Sequence, residues 1–386
     1  MSALDELLHR HIAAGSMPGA VALVSRGERV EAVAAGSADL AGTVPLRRDS
    51  LFRLASITKP IVAAAAMTLV EDGLIAPADP VAPWLPELAS PQVVRTPDSP
   101  LDDVVPAVRP ITLLDLLTFR AGYGFPSDVS LPAVAALFAD LGQGPPRPQA
   151  VPAPDAWMAA LSRVPLLHQP GEVWLYNTCS DILGVLIARV TGRPLPAYLA
   201  ERLFGPLGMT DTAFFVEPAA LDRFTSYYRA GAPGSPGVPE LVDPPEGQWS
   251  RPPAFPSGAG GLVATADDWA AFGRMLLAGG LADDGGRVLA AESVRQMLSD
   301  HLTPRQRAAS GLFTEGQGWG FGGAVDVATT APWNVLGRYG WVGGTGTTAH
   351  VIPSSGTVAV LLTQRELGGP AAPEVMRDFW TYAAGF

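Results

Sequence analysis

The chain has 386 residues, of which 48% are hydrophobic and 16% are charged; this is enough apolar material for a large core in one or two domains and argues against disorder. Its formal net charge is −11 and its pI is about 4.9, so we expect no binding to nucleic acid or to an anionic membrane. The single cysteine, Cys179, excludes an intrachain disulfide.

We expect no targeting or membrane-spanning segment in this sequence. The first residues lack a basic stretch followed by an apolar one, so we expect no signal peptide. The longest apolar run that is a candidate for a transmembrane helix, residues 61–70, is much shorter than the roughly 18 residues that such a helix needs. Together with the lone cysteine, these features predict a cytoplasmic protein and leave its oligomeric state open.

The first part of the chain predicts a helix, a β-hairpin and a second helix. Ser2 is a typical helix N-cap, and Gly27 lies in a short turn between two β-type runs. The second helix begins near Ser56 and runs to Gly73, a residue type common just after a helix. The expected bounds are 3–14 for the first helix, 21–25 and 30–34 for the strands, and 56–73 for the second helix.

The middle of the chain is predicted to be helical, with interruptions that are rich in proline and glycine. The expected helices cover residues 112–119, 181–190 and 196–203, and the loops cover residues 143–154 and 230–256. The second loop is long, which is typical of a surface loop or of a lid over a site.

The last part of the chain returns to β structure. Two apolar runs, 347–352 and 357–363, flank a short turn, and a helix is expected over 373–384. This order predicts an α+β fold, an α/β sandwich in which one antiparallel sheet from both chain ends is flanked by helices. The expected domains are 1–75 with 260–386, which form the sheet domain, and an inserted, mainly helical domain over 76–259.

The distribution of basic residues draws attention to one position. The chain has 26 basic residues, and Lys59 is the single lysine; the other 25 (26 − 1) are arginines. A coding bias towards arginine explains the arginines but not the one lysine that remains. Because arginine stays protonated in proteins whereas a desolvated lysine can lose its proton, Lys59 is a candidate for a site that needs a neutral amine.

Ser56 precedes this lysine by three residues, at the start of the predicted helix. Positions i and i+3 share a helix face, which brings the hydroxyl beside the amine. Desolvation and the helix dipole both lower the pKa of such a lysine, and a neutral lysine can take the serine proton. The pattern S-x-x-K alone is common, and the alternative is an N-cap serine beside a solvated lysine. The uniqueness of Lys59 and the apolar helix that follows it favour the catalytic interpretation.

Two further motifs carry candidate functional residues. Tyr176 follows a Pro-Gly-Glu sequence, and a tyrosine near the lysine can pass a proton to a leaving group. By itself, a core tyrosine with a satisfied hydroxyl is the more common case. The second motif is the glycine-rich run at residues 340–346, Gly-Trp-Val-Gly-Gly-Thr-Gly. We expect it on an edge strand whose backbone approaches a ligand and stabilises an oxyanion. The alternative is a plain glycine turn.

In this order the three motifs resemble those of the serine β-lactamase and penicillin-binding protein superfamily. The chain is most similar to the esterases with a class C β-lactamase fold, the family VIII carboxylesterases, and the likeness covers most of its length. The supporting stretches are 51–55, 111–122, 203–212, 260–262 and 358–364.

The resemblance implies a role for each residue that matches a motif. Ser56 is implied to be the nucleophile and Lys59 the general base for acylation. Tyr176 is implied to assist proton transfer to the leaving group and to help activate water for deacylation. The oxyanion hole is implied to be formed by the backbone N–H groups of Ser56 and Gly344, with Gly343 in the same substrate-binding strand.

Two positions depart from the family's pattern. Trp341 stands where β-lactamases and peptidases carry a lysine or histidine that binds the substrate carboxylate. The missing cation argues against a penicillin as the main substrate. A tryptophan at this position is what many of the esterases show. Thr178 stands where the motif has asparagine, and Asn177 is one place early, so the usual amide contact is not expected. We interpret Ser180 and Asp181 as helix N-cap chemistry.

We therefore predict a carboxylesterase that hydrolyses small apolar esters through an acyl-enzyme, with Tyr123, Phe125 and Trp341 lining its pocket. The alternatives on the same fold are a β-lactamase or D-amino-acid peptidase, an amide hydrolase, a transacylase, and a binding protein without activity. The histidines lack the spacing of a metal site, so we expect no metal and no cofactor, and a small-molecule ester as the partner.

Overall fold

The helices and strands are taken from a computed structural model, which describes residues 2–144, 146–229, 239–309 and 311–386. The strands are Gly19–Arg26 (β1), Arg29–Gly36 (β2), Phe52–Arg53 (β3), Gln92–Val94 (β4), Val104–Pro106 (β5), Tyr227–Arg229 (β6), Glu240–Asp243 (β7), Val263–Ala264 (β8), Gly318–Trp319 (β9), Ala324–Val325 (β10), Tyr339–Gly343 (β11), Thr347–Ile352 (β12) and Thr357–Thr363 (β13). The α-helices are Ala3–Ala13 (α1), Lys59–Glu71 (α2), Leu113–Leu117 (α3), Pro132–Leu141 (α4), Pro154–Leu161 (α5), Thr178–Thr191 (α6), Leu195–Leu199 (α7), Gly205–Leu207 (α8), Ala266–Leu277 (α9), Ala291–Met297 (α10), Pro304–Ala309 (α11), Gly311–Thr314 (α12) and Glu374–Gly385 (α13).

Within the described residues, the main sheet has seven strands in the order β2-β1-β13-β12-β11-β10-β9, and every neighbouring pair is antiparallel. β1 and β13 pair through residues 20–26 and 357–363, so the two chain ends meet inside the sheet. The α+β fold class predicted from the sequence, with an antiparallel sheet from both chain ends, is confirmed.

The two faces of the sheet are covered by different helices, and β1 shows how. Val21 and Leu23 belong to the larger core, which includes α9, whereas Ala22 and Val24 belong to a second core with α1 and α13. Because alternate residues of a strand point to opposite faces, a strand covered on both sides is buried almost throughout, as β1 is. Helices on both faces make the sandwich that the sequence predicts.

The larger core continues from the sheet into the helical middle of the chain. It contains side chains of α2 and α9 as well as those of α3, α4, α5 and α6, and α2 packs directly against α6. The domain bounds at residues 75 and 260 stay a prediction. No helix among the described residues has the length and apolar character needed to cross a bilayer.

The glycine-rich strand departs from its expected place at the sheet edge. β11 lies between β12 and β10 and is therefore an interior strand. Because β10 has only two residues, which pair with Tyr339 and Gly340, the rest of β11 is open on that side. This open part, residues 341–343, contains the backbone that faces the Ser56 segment.

The loop expected over residues 230–256, either a surface loop or a lid, is described only in part, because residues 230–238 lie outside the described residues. In the described remainder, β7 pairs with β6 across that interval. Trp249 and Phe255 follow β7 and are buried at the wall of a cavity.

Candidate active site

Ser56 lies on a short 3-10 turn, Ala55–Thr58, that leads directly into α2. The sequence predicted one continuous helix here, but Lys59 is the first residue of the α-helix and Ser56 precedes it. Ala55 has a φ of +46°, a left-handed conformation that is strained for a residue with a Cβ and that recurs at functional sites. This turn places Ser56 on the cavity wall.

The end of β11, the turn that follows it and the start of β12 contact the segment that leads into the serine turn. Gly343 lies so close to it that a Cβ would collide with the Leu54 carbonyl and with the Thr347 hydroxyl. The Thr347 hydroxyl donates to the Leu54 carbonyl at 2.7 Å, and the Thr345 hydroxyl donates to the Arg53 carbonyl at 2.6 Å. The residues after β11 and the segment that leads into the serine turn are thus linked by hydrogen bonds, and glycine at position 343 permits the close approach.

The Nζ atom of Lys59 lies 2.9 Å from the Ser56 hydroxyl oxygen. It also lies 2.8 Å from Oδ1 of Asn177 and 2.6 Å from the Ala259 carbonyl oxygen, and both of these oxygens can only accept hydrogen bonds. A neutral amine has two N–H donors and one lone pair. When the donors satisfy these two acceptors, the lone pair is left facing Ser56, which is the geometry needed to remove the serine proton.

The environment of Lys59 favours its neutral form. The side chain is 1% exposed, and this burial lowers its pKa to about 7, while the charge of Asp181 opposes the shift. Near pH 7 a large fraction of the amine is therefore unprotonated and able to act as a base.

Two unusual backbone conformations place Tyr176 opposite this pair. Its N–H and carbonyl exchange hydrogen bonds with Phe125 at 3.0 and 2.9 Å. Gly124 has a φ of +135° and passes so near the Tyr176 carbonyl that a Cβ would collide with it. Asn177 has a φ of +83° and a ψ of −68°, a strained turn just before α6. The tyrosine is thus held by its backbone on both sides.

The hydroxyl oxygen of Tyr176 accepts a 2.7 Å hydrogen bond from Nε1 of Trp341. Burial raises the pKa of Tyr176 to about 12, and hydrogen bonding to Ser56 and Trp341 opposes this shift. The phenol is therefore neutral at physiological pH and keeps a proton to share with the Ser56 side. Trp341 lies on the cavity wall, as the sequence analysis expected, and in addition it orients the tyrosine.

Asn177 makes an amide contact that the motif did not predict. Its Oδ1 accepts from Lys59, and its Nδ2 donates at 2.8 Å to Oε1 of Gln143. The Thr178 hydroxyl donates to the same oxygen at 3.1 Å. Because Asn177 has a positive φ, its side chain reaches the lysine although it stands one place earlier than the asparagine of the family's motif. The spacing of the motif in the sequence does not indicate this reversal of the backbone at Asn177.

Asp181 lies inside α6 and not at its N-cap, so the N-cap interpretation of this residue is wrong. Its carboxylate accepts 2.6 Å hydrogen bonds from Gln143 and from the Ser257 hydroxyl, and a 3.0 Å hydrogen bond from the Ala259 N–H. Burial raises the pKa of Asp181, while these hydrogen bonds and the charge of Lys59 oppose the shift. Asp181 thus fixes the segment whose carbonyl oxygen holds Lys59.

Gly344 follows β11 and lies on the same cavity wall as Ser56. Its carbonyl accepts a 2.8 Å hydrogen bond from the Leu367 N–H, which fixes the turn. Its own N–H donates to no backbone carbonyl of the described residues. An N–H group in this position can be offered to an oxyanion that forms at the serine.

The cavity at Ser56 has a volume of about 500 Å³. Its wall is mostly apolar and includes Phe125, one of the two aromatic residues expected there from the segment after Gly122. The other, Tyr123, is 3% exposed and lies in the core and not on the wall. Other apolar side chains of the wall include Leu141, Phe255, Phe313 and Leu367.

Side chains that commonly bind metal ions are not grouped together in the part of the chain that the structure describes. Within the described ranges, no three or more histidine, cysteine, aspartate or glutamate residues are grouped so as to hold a metal ion.

The chain is similar to known proteins over nearly its whole length. Residues 4–378 match the Beta-lactamase family. Esterase EstB of Burkholderia gladioli is 32% identical over 395 residues, which covers 96% of this chain and 92% of that protein. Protein Rv1367c of Mycobacterium tuberculosis (strain ATCC 25618 / H37Rv) is 40% identical over 361 residues, which covers 91% and 86%. Among solved structures, EstCE1, described as a hydrolase with promiscuous acyltransferase activity, has a TM-score of 0.80 at 25% identity and coverage of 98% and 97%.

The fold and the site together define a serine hydrolase of the β-lactamase and penicillin-binding protein superfamily. The chain belongs to the Beta-lactamase family, which spans nearly all of its length.

Proposed function

We propose that this protein is a carboxylesterase that hydrolyses small, apolar carboxylic esters through an acyl-enzyme on Ser56. One observation carries the proposal: the buried amine of Lys59, with a pKa of about 7, lies 2.9 Å from the Ser56 hydroxyl and has its other two contacts with acceptors only. The 32% identity to Esterase EstB over almost the full length of both chains supports the same reaction class.

In the acylation step, the Lys59 lone pair removes the Ser56 proton as the serine oxygen bonds to the ester carbonyl carbon. The backbone N–H groups of Ser56 and Gly344 donate to the oxyanion that forms. The bond from that carbon to the alcohol oxygen then breaks. The neutral phenol of Tyr176 gives its proton to the departing alkoxide and regains one from the Lys59 ammonium, so the alcohol leaves protonated.

In the deacylation step, water takes the place of the alcohol. Its proton passes through Tyr176 to Lys59 as its oxygen bonds to the acyl carbon. The bond to the Ser56 oxygen breaks, the serine regains the proton from Lys59, and the carboxylic acid leaves. The free enzyme is restored with no cofactor consumed.

The wall of the cavity supports an ester rather than a β-lactam as substrate. Trp341 replaces the cation that binds the substrate carboxylate in β-lactamases and peptidases, and its indole N–H is used by Tyr176. Among the described wall residues the basic side chain is Arg147, which is exposed. A mostly apolar wall is suited to apolar acyl and alcohol groups.

Acyl transfer to an alcohol is a second candidate, because EstCE1 is described as a hydrolase with promiscuous acyltransferase activity and is 25% identical over 98% of this chain. The two reactions share the acyl-enzyme and differ in whether water or an alcohol accepts the acyl group. Product ratios in the presence of increasing alcohol distinguish them.

The test is turnover of p-nitrophenyl butyrate together with the intact mass of the protein during turnover. We expect the wild-type protein to gain the mass of one acyl group, and Ser56→Ala to lose both activity and the adduct. The control is Ser162→Ala, which changes an exposed serine outside the cavity. Activity retained by Ser56→Ala would refute the proposal.

We also propose that the enzyme works in the cytoplasm on a small-molecule ester, and not on nucleic acid or at a membrane. The acidic composition and the single, buried Cys179 support this location. Fractionation of cells that express the tagged chain tests it.

A further inference from the structure

The active-site cavity has a second polar region, formed by Tyr227 and Glu366 on its wall. Tyr227 is 2% exposed, and its hydroxyl has no hydrogen-bond partner among the described residues. Burial raises the pKa of Tyr227, the charge of Glu366 raises it further, and the charges of Arg53 and Arg229 oppose the shift, so Glu366 lies within electrostatic range of the phenol. Buried polar groups are nearly always hydrogen-bonded in native proteins, so an unpartnered phenol that lines a cavity points to a ligand.

The Glu366 carboxylate likewise has no hydrogen bond or ion pair within the described residues. Burial raises its pKa, the charge of Arg229 lowers it, and no hydrogen bond contributes to the shift. Arg229 is already paired with Glu240 at 3.3 Å. The wall therefore presents a half-buried carboxylate beside a buried phenol that has no hydrogen bond, and a buried, unpaired phenol is unfavourable unless something binds it.

The backbone ties this region directly to the catalytic one. β6 runs beside the segment that follows β13: the Tyr228 N–H donates to the Gln364 carbonyl at 2.8 Å, and the Glu366 N–H donates to the Tyr228 carbonyl at 2.7 Å. The next residue, Leu367, donates to the Gly344 carbonyl at 2.8 Å. Glu366 is thus one residue from a direct hydrogen bond to the turn that supplies the proposed oxyanion donor.

We propose that Tyr227 and Glu366 form a subsite that binds an ammonium group, or another group with N–H donors, on the ester substrate. The proposal rests on the esterase function above and adds a substrate class to it: aminoacyl or aminoalkyl esters. A primary ammonium has three N–H donors; the carboxylate accepts one in a charge-assisted hydrogen bond, and the phenol oxygen accepts another. The same carboxylate repels acidic substrates.

Matched ester pairs test the subsite. On the acyl side, p-nitrophenyl esters of ω-amino acids of increasing length are compared with p-nitrophenyl esters in which a methyl group replaces the ammonium. On the alcohol side, butyrate esters of amino alcohols are compared with those of the isosteric alkanols. The readout is the ratio of kcat/KM between the ammonium ester and its neutral partner, because a ratio measured on one sample is independent of how much of a variant is folded.

We expect the wild-type protein to favour the ammonium ester about tenfold in at least one of the two series. Glu366→Gln should reduce this preference to about unity, and Tyr227→Phe, which removes only the hydroxyl, should reduce it in part. The matched control is Glu246→Gln, an exposed glutamate outside the cavity wall, which makes the same change in net charge and should leave the preference unchanged.

Two results would overturn the subsite: no preference in either series, or a preference that Glu366→Gln leaves intact. An equal loss in Glu246→Gln would assign the effect to net charge and would also overturn it. If the wild-type protein hydrolysed no neutral ester and Ser56 formed no acyl adduct, the esterase proposal itself would fail, so the two failures are distinguishable.

Discussion

The indole Nε1 of Trp341 donates a 2.7 Å hydrogen bond to the hydroxyl oxygen of Tyr176, and the two ring centroids lie 5.7 Å apart. The residues are 165 positions apart in the chain. Because the indole occupies one lone pair of the phenol oxygen, the phenol proton is free to face Ser56. Trp341, which stands where β-lactamases and peptidases carry a cation, therefore also orients the Tyr176 phenol, which is proposed to transfer protons.

Trp341→Phe tests this relationship, because it keeps an aromatic ring and removes the donor. We expect kcat for p-nitrophenyl butyrate to fall about tenfold, with a smaller change in KM, since the hydrogen bond positions the phenol and does not bind substrate. The control is Trp84→Phe, an indole outside the cavity. An unchanged kcat, or a loss entirely in KM, would contradict the orienting role.

Lys59→Arg tests the neutral-amine requirement. Arginine keeps the positive charge but cannot lose its proton, so we expect kcat/KM to fall by at least about a hundredfold. The rate at which a fluorophosphonate labels Ser56 should fall in parallel, because that reaction also needs the base. Near-wild-type rates in a variant that folds normally by circular dichroism would exclude Lys59 as the base.

The pH dependence of kcat/KM should follow the ionisation of Lys59. Burial lowers the pKa of this lysine to about 7, so the amine is protonated and inactive below that pH, and activity should rise as the pH is raised through about 7. Tyr176, with a pKa of about 12, stays neutral over this range and adds no falling limb near neutrality.

Asp181→Asn should move that rising limb to lower pH. The Asp181 charge raises the pKa of Lys59, so removing it favours the neutral amine at lower pH. The control is Asp155→Asn, which changes an exposed carboxylate near Arg189. A limb that stayed in place, or moved to higher pH, would show that Asp181 does not act on the lysine electrostatically.

Gly343→Ala should destabilise the protein, because the added Cβ would collide with the Leu54 carbonyl and force β11 away from the serine turn. We expect a loss of about 1–3 kcal/mol in the free energy of unfolding in urea. Gly344→Ala is the matched comparison: its Cβ would meet nothing within 4 Å, and stability should change much less. Equal losses in the two variants would contradict the close approach at Gly343.

Features that depend on neighbouring residues were predicted well. Ser2 caps α1 by accepting from the Asp5 N–H at 3.2 Å, and the terminal hairpin has its expected bounds, because short-range capping and strand alternation determine both. The Ser56–Lys59 contact also needs only residues three positions apart, and the 3-10 turn in place of a longer α-helix did not prevent it.

Features that depend on distant residues were not predictable in the same way. The partners of Lys59 include Asn177, 118 positions away, and Ala259, 200 positions away, and no local pattern indicates either contact. Asp181 resembled an N-cap residue, yet it is buried in α6 among partners from two other segments. Tyr123 and Phe125 looked equivalent, and only packing distinguishes the one in the core from the one on the cavity wall.

The amino-acid sequence alone was sufficient for the fold class and the family resemblance, because these depend on residue type, spacing and periodicity, and it predicts Ser56, Lys59 and Tyr176 as the catalytic residues. The depressed pKa of Lys59, the orientation of Tyr176 and the polar region at Tyr227 and Glu366 arise only in the folded chain. Each depends on burial or on contacts between residues far apart in sequence, and desolvation and hydrogen-bond geometry exist only after those segments pack together.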